Sequence, residues 1–118
     1  MLKFLYVGLG GALGAVLRYS FSFLPIASNK TIFINIIGAI VIGFVSFFSK
    51  NIRVLDQRLF LFLTTGLCGG FTTFSTFSLE TVQLIEKNEY FLALLYSLGT
   101  VSLSLVGIYA GYYLAKLF

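Results

Sequence analysis

Charge is placed so unevenly along this chain that it dictates what the chain can become. An uncharged run, Thr31–Ser49, lies between Lys30 and Lys50; a second, Leu59–Leu79, lies between Arg58 and Glu80; a third, Tyr90–Ala115, lies between Glu89 and Lys116. Each meets the roughly 17–25 residues that a helix needs to cross the hydrocarbon of a bilayer. A shorter run, Phe4–Leu17, gains length from Tyr19–Leu24 beyond Arg18 and stops near Pro25. With 58% hydrophobic and 10% charged residues, the chain has the balance of a membrane protein. The pattern predicts an all-α integral membrane fold, a single transmembrane domain over 1–118. Helices are expected at about 2–24, 31–50, 56–86 with a central break, and 90–117, joined by loops Pro25–Lys30, Asn51–Leu55 and Lys87–Glu89.

Several function classes fall away on composition. The net charge of +4 is spread over the loops without a basic cluster, so nucleic acid is not an expected partner. Cys68 is the one cysteine, which rules out an internal disulfide and reads as a small packing residue. The absence of histidine removes imidazole metal sites and histidine proton relays. Lys3 before an apolar run resembles a signal peptide, but no small-x-small cleavage site follows it. The pairs Gly10/Gly14 and Gly8/Ala12 instead suit helix packing in lipid. Lys3, Lys50, Arg53, Arg58 and Lys116 fall on the side of both termini, against Arg18, Lys30 and Lys87 on the other. The positive-inside rule then favours cytoplasmic termini only weakly, a bias that permits insertion in both orientations.

Chemistry concentrates in the third run. Gly66, Gly69 and Gly70, with Thr72, Thr73, Ser75 and Thr76, interrupt what would otherwise be plain apolar helix. In hydrocarbon, broken helix survives only inside protein or along a cavity, so this segment marks an ion or substrate site. Phe74 and Phe77, three apart, share one face of the resumed helix. Their rings attract an anion if they present edges and a cation if they present faces, and packing is the plainer reading of such a pair. Ser75, Thr76, Asn35 and Thr100 offer hydrogen-bond donors without negative charge, as a desolvated anion requires. Span interiors lack acids, with Glu80 at the end of a run, which argues against a cation path or a carboxylate relay. Arg18 either draws anions into a vestibule or snorkels to the interface. Gly69, Gly70 and Thr72 expose backbone at the break; chemistry alone favours a simple kink there over a cation site.

Small and polar residues also form stripes. Asn35, Ala39, Gly43 and Ser46 share a face of the second span. Ala93, Ser97, Thr100, Ser104, Gly107 and Gly111 share one of the fourth. Such stripes mark close packing in lipid, the preferred reading for Gly107 and Gly111. Thr100 and Ser104 are as well suited to lining a pathway.

The segment Gly66-Leu-Cys-Gly-Gly-Phe-Thr-Thr-Phe-Ser-Thr-Phe-Ser78, with Gly10-Gly-Ala-Leu-Gly-Ala-Val-Leu-Arg-Tyr19 and Asn35-Ile-Ile-Gly38, resembles the small fluoride channels of the CrcB/Fluc family over all four spans. The resemblance implies an antiparallel dual-topology dimer, of identical or similar chains, with two narrow fluoride pores along the subunit interfaces. It implies pore-lining roles for Phe74, Phe77, Asn35, Ser75 and Thr76, and a polar track of Tyr96, Thr100 and Ser104. Ile108 stands where the track would carry a further hydroxyl. Arg18 resembles the arginine near a pore entrance. Gly69 and Thr72 match residues whose carbonyls hold a structural sodium ion on the dimer axis, which reverses the preference for a kink.

These features together imply a passive fluoride channel of a bacterial cytoplasmic membrane, not an enzyme. A small proton-coupled multidrug transporter is the nearest rival, but it relies on a first-span glutamate, where this chain has Arg18. A purely structural membrane subunit would explain the small-residue stripes, though not hydroxyls and phenylalanines gathered at a helix break.

Overall fold

A computed structural model describes residues 1–25 and 29–118; residues 26–28 of the expected first loop lie outside the described residues. Among the described residues, four helical segments are long and apolar enough to cross a membrane: Leu2–Phe21, Lys30–Ile52, Gln57–Glu86 and Tyr90–Ala115. The first, α1 (Leu2–Phe21), stops three residues short of Leu24. Pro25 explains the early stop, since a proline disfavours helical backbone at the residue before it. The second, α2 (Lys30–Phe47), starts where the Asn29 side chain accepts from the Ile32 N–H at 3.3 Å. It runs on through a wider π-helical turn, Phe48–Ile52, before the chain extends at Arg53.

The third span is assembled from pieces. Asp56 caps α3 (Gln57–Leu61) by accepting from the Arg58 N–H at 3.2 Å. A π-helical stretch, Phe62–Cys68, follows, then one turn, α4 (Gly69–Phe71). The helix breaks at Thr72 and Thr73, both in extended backbone, and resumes as α5 (Phe74–Glu86). Asn88 ends α5 with φ of 62°, a left-handed position that asparagine tolerates, and the Glu89 N–H reaches back to the Leu84 carbonyl at 2.9 Å. The last helix, α6 (Tyr90–Ala115), returns across the membrane without interruption.

Packing divides the molecule into two pairs. The Phe62–Cys68 stretch and α4 lie against α1, while α2 lies along α6; α5 leans on α6, and α1 barely touches α2. The contacts are made by backbone meeting backbone. A Cβ placed on Gly10 would fall 2.5 Å from the Phe62 carbonyl oxygen, and one on Gly66 would fall 2.9 Å from the Gly10 Cα. Gly111 meets the Ile40 carbonyl and Gly107 meets Ala39 in the other pair, so both glycines are packing residues as expected. Gly8, by contrast, has nothing within 4 Å of a would-be Cβ, and Ala12, its expected companion, is exposed.

The core follows the logic of a lipid-embedded bundle. Ile34, Ala39, Val45, Cys68, Phe77, Ala93, Tyr96 and Ala115 form the buried apolar set, and large apolar side chains such as Leu9, Val16, Leu98 and Val106 face outward. Lipid tails are as apolar as leucine, so burying leucine gains little and small residues that let backbones approach are favoured inside.

Candidate functional site

The break is held open by side chains that replace the missing helical bonds. In a continuous helix the Thr73 N–H would bond the Gly69 carbonyl. Here it donates to Asn35 Oδ1 at 2.9 Å, and Asn35 Nδ2 donates back to the Thr73 carbonyl at 3.1 Å. The Thr76 N–H donates to Thr73 Oγ1 at 3.1 Å, capping α5 and taking away the natural partner of the Thr72 carbonyl. Upstream, both the N–H and the hydroxyl of Thr72 donate to the Cys68 carbonyl, at 2.9 and 2.8 Å. Arg18 Nε donates to the Gly70 carbonyl at 3.2 Å. Arg18 is therefore tied to the break rather than snorkelling free. Gly69 and Thr72 keep carbonyl oxygens whose usual donors are engaged elsewhere.

A cleft of about 820 Å³ opens beside this break, between α2, the third span and α6. It is lined by Asn35, Gly69, Thr72, Phe74, Phe77, Thr100 and Ser104 among others, so most of the residues expected from sequence meet here. Phe77 is buried, whereas Phe74 is 77% exposed at the mouth. Their ring centroids lie 5.6 Å apart with planes at 52°, an inclined pair presenting both edge and face. Ile108 also lines the cleft, at the end of the Thr100–Ser104 row.

Thr100 is the anomalous group. Thr64, Thr72, Thr81 and Ser97 each bond a carbonyl four residues back, the usual recourse of a hydroxyl in an apolar helix. Thr100 Oγ1, in a residue only 4% exposed, has no partner among the described residues. An unsatisfied buried hydroxyl costs about 1–3 kcal/mol, and such a group in a cleft is a donor held ready for a ligand.

Four expected residues, Arg18, Ser75, Thr76 and Tyr96, do not line this cleft. Tyr96 is buried, packs on the Phe77 ring at 5.4 Å between centroids, and donates its hydroxyl to Glu80 Oε1 at 2.7 Å. Ser75 is exposed. Thr76 lines a second, polar cavity of about 550 Å³, together with Arg18, Lys30, Thr31 and Glu80. Glu80, placed by charge counting at the end of a run, lies within the third span because α5 continues to Glu86. It stands in the last two turns of a helix whose expected bounds already reached Glu86. Thr73 was read from the sequence only as one of the hydroxyls at the interruption and was given no role of its own, although a threonine directly before a resumed helix is a standard capping position. Among the described residues no cluster of His, Cys, Asp or Glu could hold a metal ion, so backbone oxygens are what the break offers to a cation.

A model of the family described as CrcB-like protein, Camphor Resistance (CrcB), matches residues 5–112. The chain is similar to a Helicobacter pylori (strain Shi470) protein named fluoride-specific ion channel FluC, 39% identical over 126 residues that cover 98% of this chain and 94% of the relative. A protein of the same name from Clostridium novyi (strain NT) is 41% identical over 117 residues, covering 94% of this chain and 91% of the relative.

Proposed function

The chain belongs to the CrcB-like protein family, and from that premise we propose that it is a passive, fluoride-selective channel that lets the anion leave a bacterial cytoplasm. The observation that carries the reading is Thr100. Its unpaired hydroxyl, in a cleft shared with Phe74 and Phe77, is a donor without a protein acceptor. A fluoride ion stripped of water needs donors that do not bring negative charge. Hydroxyls and the spare amide proton of Asn35 supply them, and aromatic edges add weak attraction without trapping. Hydrogen fluoride enters neutral and dissociates in a less acidic cytoplasm. The interior-negative potential then drives the anion out, with about 2.3 kcal/mol per charge per 100 mV.

A cleft whose mouth leaves Phe74 exposed is half a passage, and a second copy inserted antiparallel would close it, giving two pores at the subunit contact. Asn35, Phe74, Phe77, Thr100 and Ser104 line the pore in this reading, Ser75, Thr76 and Tyr96 flank it, and Arg18 stands at its vestibule. The freed carbonyls of Gly69 and Thr72 are hard oxygen donors of the kind an unwound membrane helix offers to sodium. Bound there, sodium would neutralise carbonyl dipoles from both copies and tie them together.

The test is ion release from vesicles holding the purified protein, with a potassium ionophore to carry counter-charge. Fluoride should leave rapidly and chloride should stay. Retained fluoride, or equal loss of both ions, rejects the assignment. Substituting Phe74→Ile or Phe77→Ile should slow release by about tenfold, the upper worth of an aromatic-edge contact, with assembly intact on a sizing column. Glu80 makes a proton-coupled carrier the alternative to exclude. Under that mechanism an imposed pH gradient would drive fluoride uphill faster than in protein-free vesicles, where permeation of HF alone responds to pH, and the channel reading forbids that excess.

A further inference from the structure

Two cavities flank the break, and among the described residues Thr73 is the one that lines both. On one side is the cleft with Thr100; on the other is the polar cavity, where Arg18 and Lys30 against the single Glu80 leave the lining net positive and favour anions. We propose that the Thr73 hydroxyl is a pore residue at which a small halide crosses between these compartments. The inference rests on the channel reading above and adds to it a residue and a route.

The hydroxyl has the connections for this. Thr73 Oγ1 accepts from the Thr76 N–H at 3.1 Å, which fixes the oxygen. Thr76 Oγ1 stands 3.2 Å away, toward the polar cavity, and Ser75 Oγ stands 3.3 Å away. A threonine has a single O–H, so Thr73 donates to one neighbour or the other, never to both at once. The backbone cannot follow that rotation, because Asn35 grips its N–H and its carbonyl together. The result is a donor that turns about a fixed pivot. It can point at an anion in either compartment while the cap of α5 stays made.

The rival role is that of a helix cap alone, and two variants separate them. Aspartate and asparagine both cap helices well. T73N keeps a donor at the crossing, whereas T73D puts a carboxylate there and offers none. If Thr73 carries the crossing, fluoride release per reconstituted dimer should be about tenfold to hundredfold lower in T73D than in T73N, the worth of a hydrogen bond to a charged partner. Equal release from T73D and T73N would overturn the inference. Should T73D fail to assemble on a sizing column, Thr73→Val against Thr73→Ser decides in its place. Flux per assembled protein should fall in the valine variant and persist in the serine one, and equal flux overturns the crossing role. If the unsubstituted protein releases no fluoride, the function itself fails, which is a different outcome from all of these.

Discussion

Asn35 shows what a residue's identity does and does not disclose. Its polarity inside an apolar run announced a functional position, but its bonds go to Thr73, 38 positions away. No local pattern encodes such a pairing, so the sequence read a pore donor where the structure adds a clamp. Asn35→Ala strands a backbone N–H and a carbonyl, and should destabilise the protein by about 2 kcal/mol or more at roughly 1–3 kcal/mol per buried group. Thermal unfolding in detergent measures this. Thr100 should behave in the opposite way. Replacing it with valine removes an unpaired hydroxyl, so Thr100→Val should raise stability by about 1 kcal/mol while slowing fluoride release. A valine variant that is both less stable and fully conducting would contradict the role given to this hydroxyl. Thr73 was legible in principle, because capping residues have a known signature. Finding it required placing the break at Thr72–Thr73 rather than at the glycines that precede it.

Helices were the most legible elements, since long uncharged runs admit few other readings in lipid. Their internal irregularities were not. The widened turns at Phe48–Ile52 and Phe62–Cys68 cover only five and seven residues, too few for a change of helical period to leave a trace in hydropathy. Glycine pairs gave a mixed return for a related reason. Spacing identifies a face on which backbones can meet, without saying which face has a neighbour. Gly10 found the third span and Gly8 found nothing within the subunit. Gly10→Ala should therefore cost about 1–3 kcal/mol through overpacking against Phe62 and Leu67. Gly8→Ala leaves the subunit unaffected by the same measure, a comparison that thermal melts of the two variants make directly. Glu80 illustrates the remaining gap. A charge ends an uncharged run by definition, yet the helix runs on past it, and no local pattern tells that Tyr96 will hold it.

At the scale of the whole molecule, charge balance bears on the proposed antiparallel dimer. With basic residues split between both faces, little decides which way a chain inserts. Adding three lysines beside the termini should fix one orientation and abolish fluoride resistance in cells. Co-expression with a chain carrying three added lysines in the Lys87–Glu89 loop should restore it. Resistance from a single fixed orientation would sink the antiparallel arrangement. Hydropathy foretold the number of spans, but their grouping depends on backbone contacts that no transfer scale contains. That grouping has a mechanical corollary. One arm of the third span is carried by α1, the other by α6, and the two carriers hardly meet. The elbow at Thr72–Thr73 sits where the two halves join, pinned to α2 by Asn35, so strain that membrane thickness sets up between them converges on it and thickness becomes a throttle: vesicles of short-chain and long-chain lipid should pass fluoride at different speeds, where a rigid bundle would be indifferent.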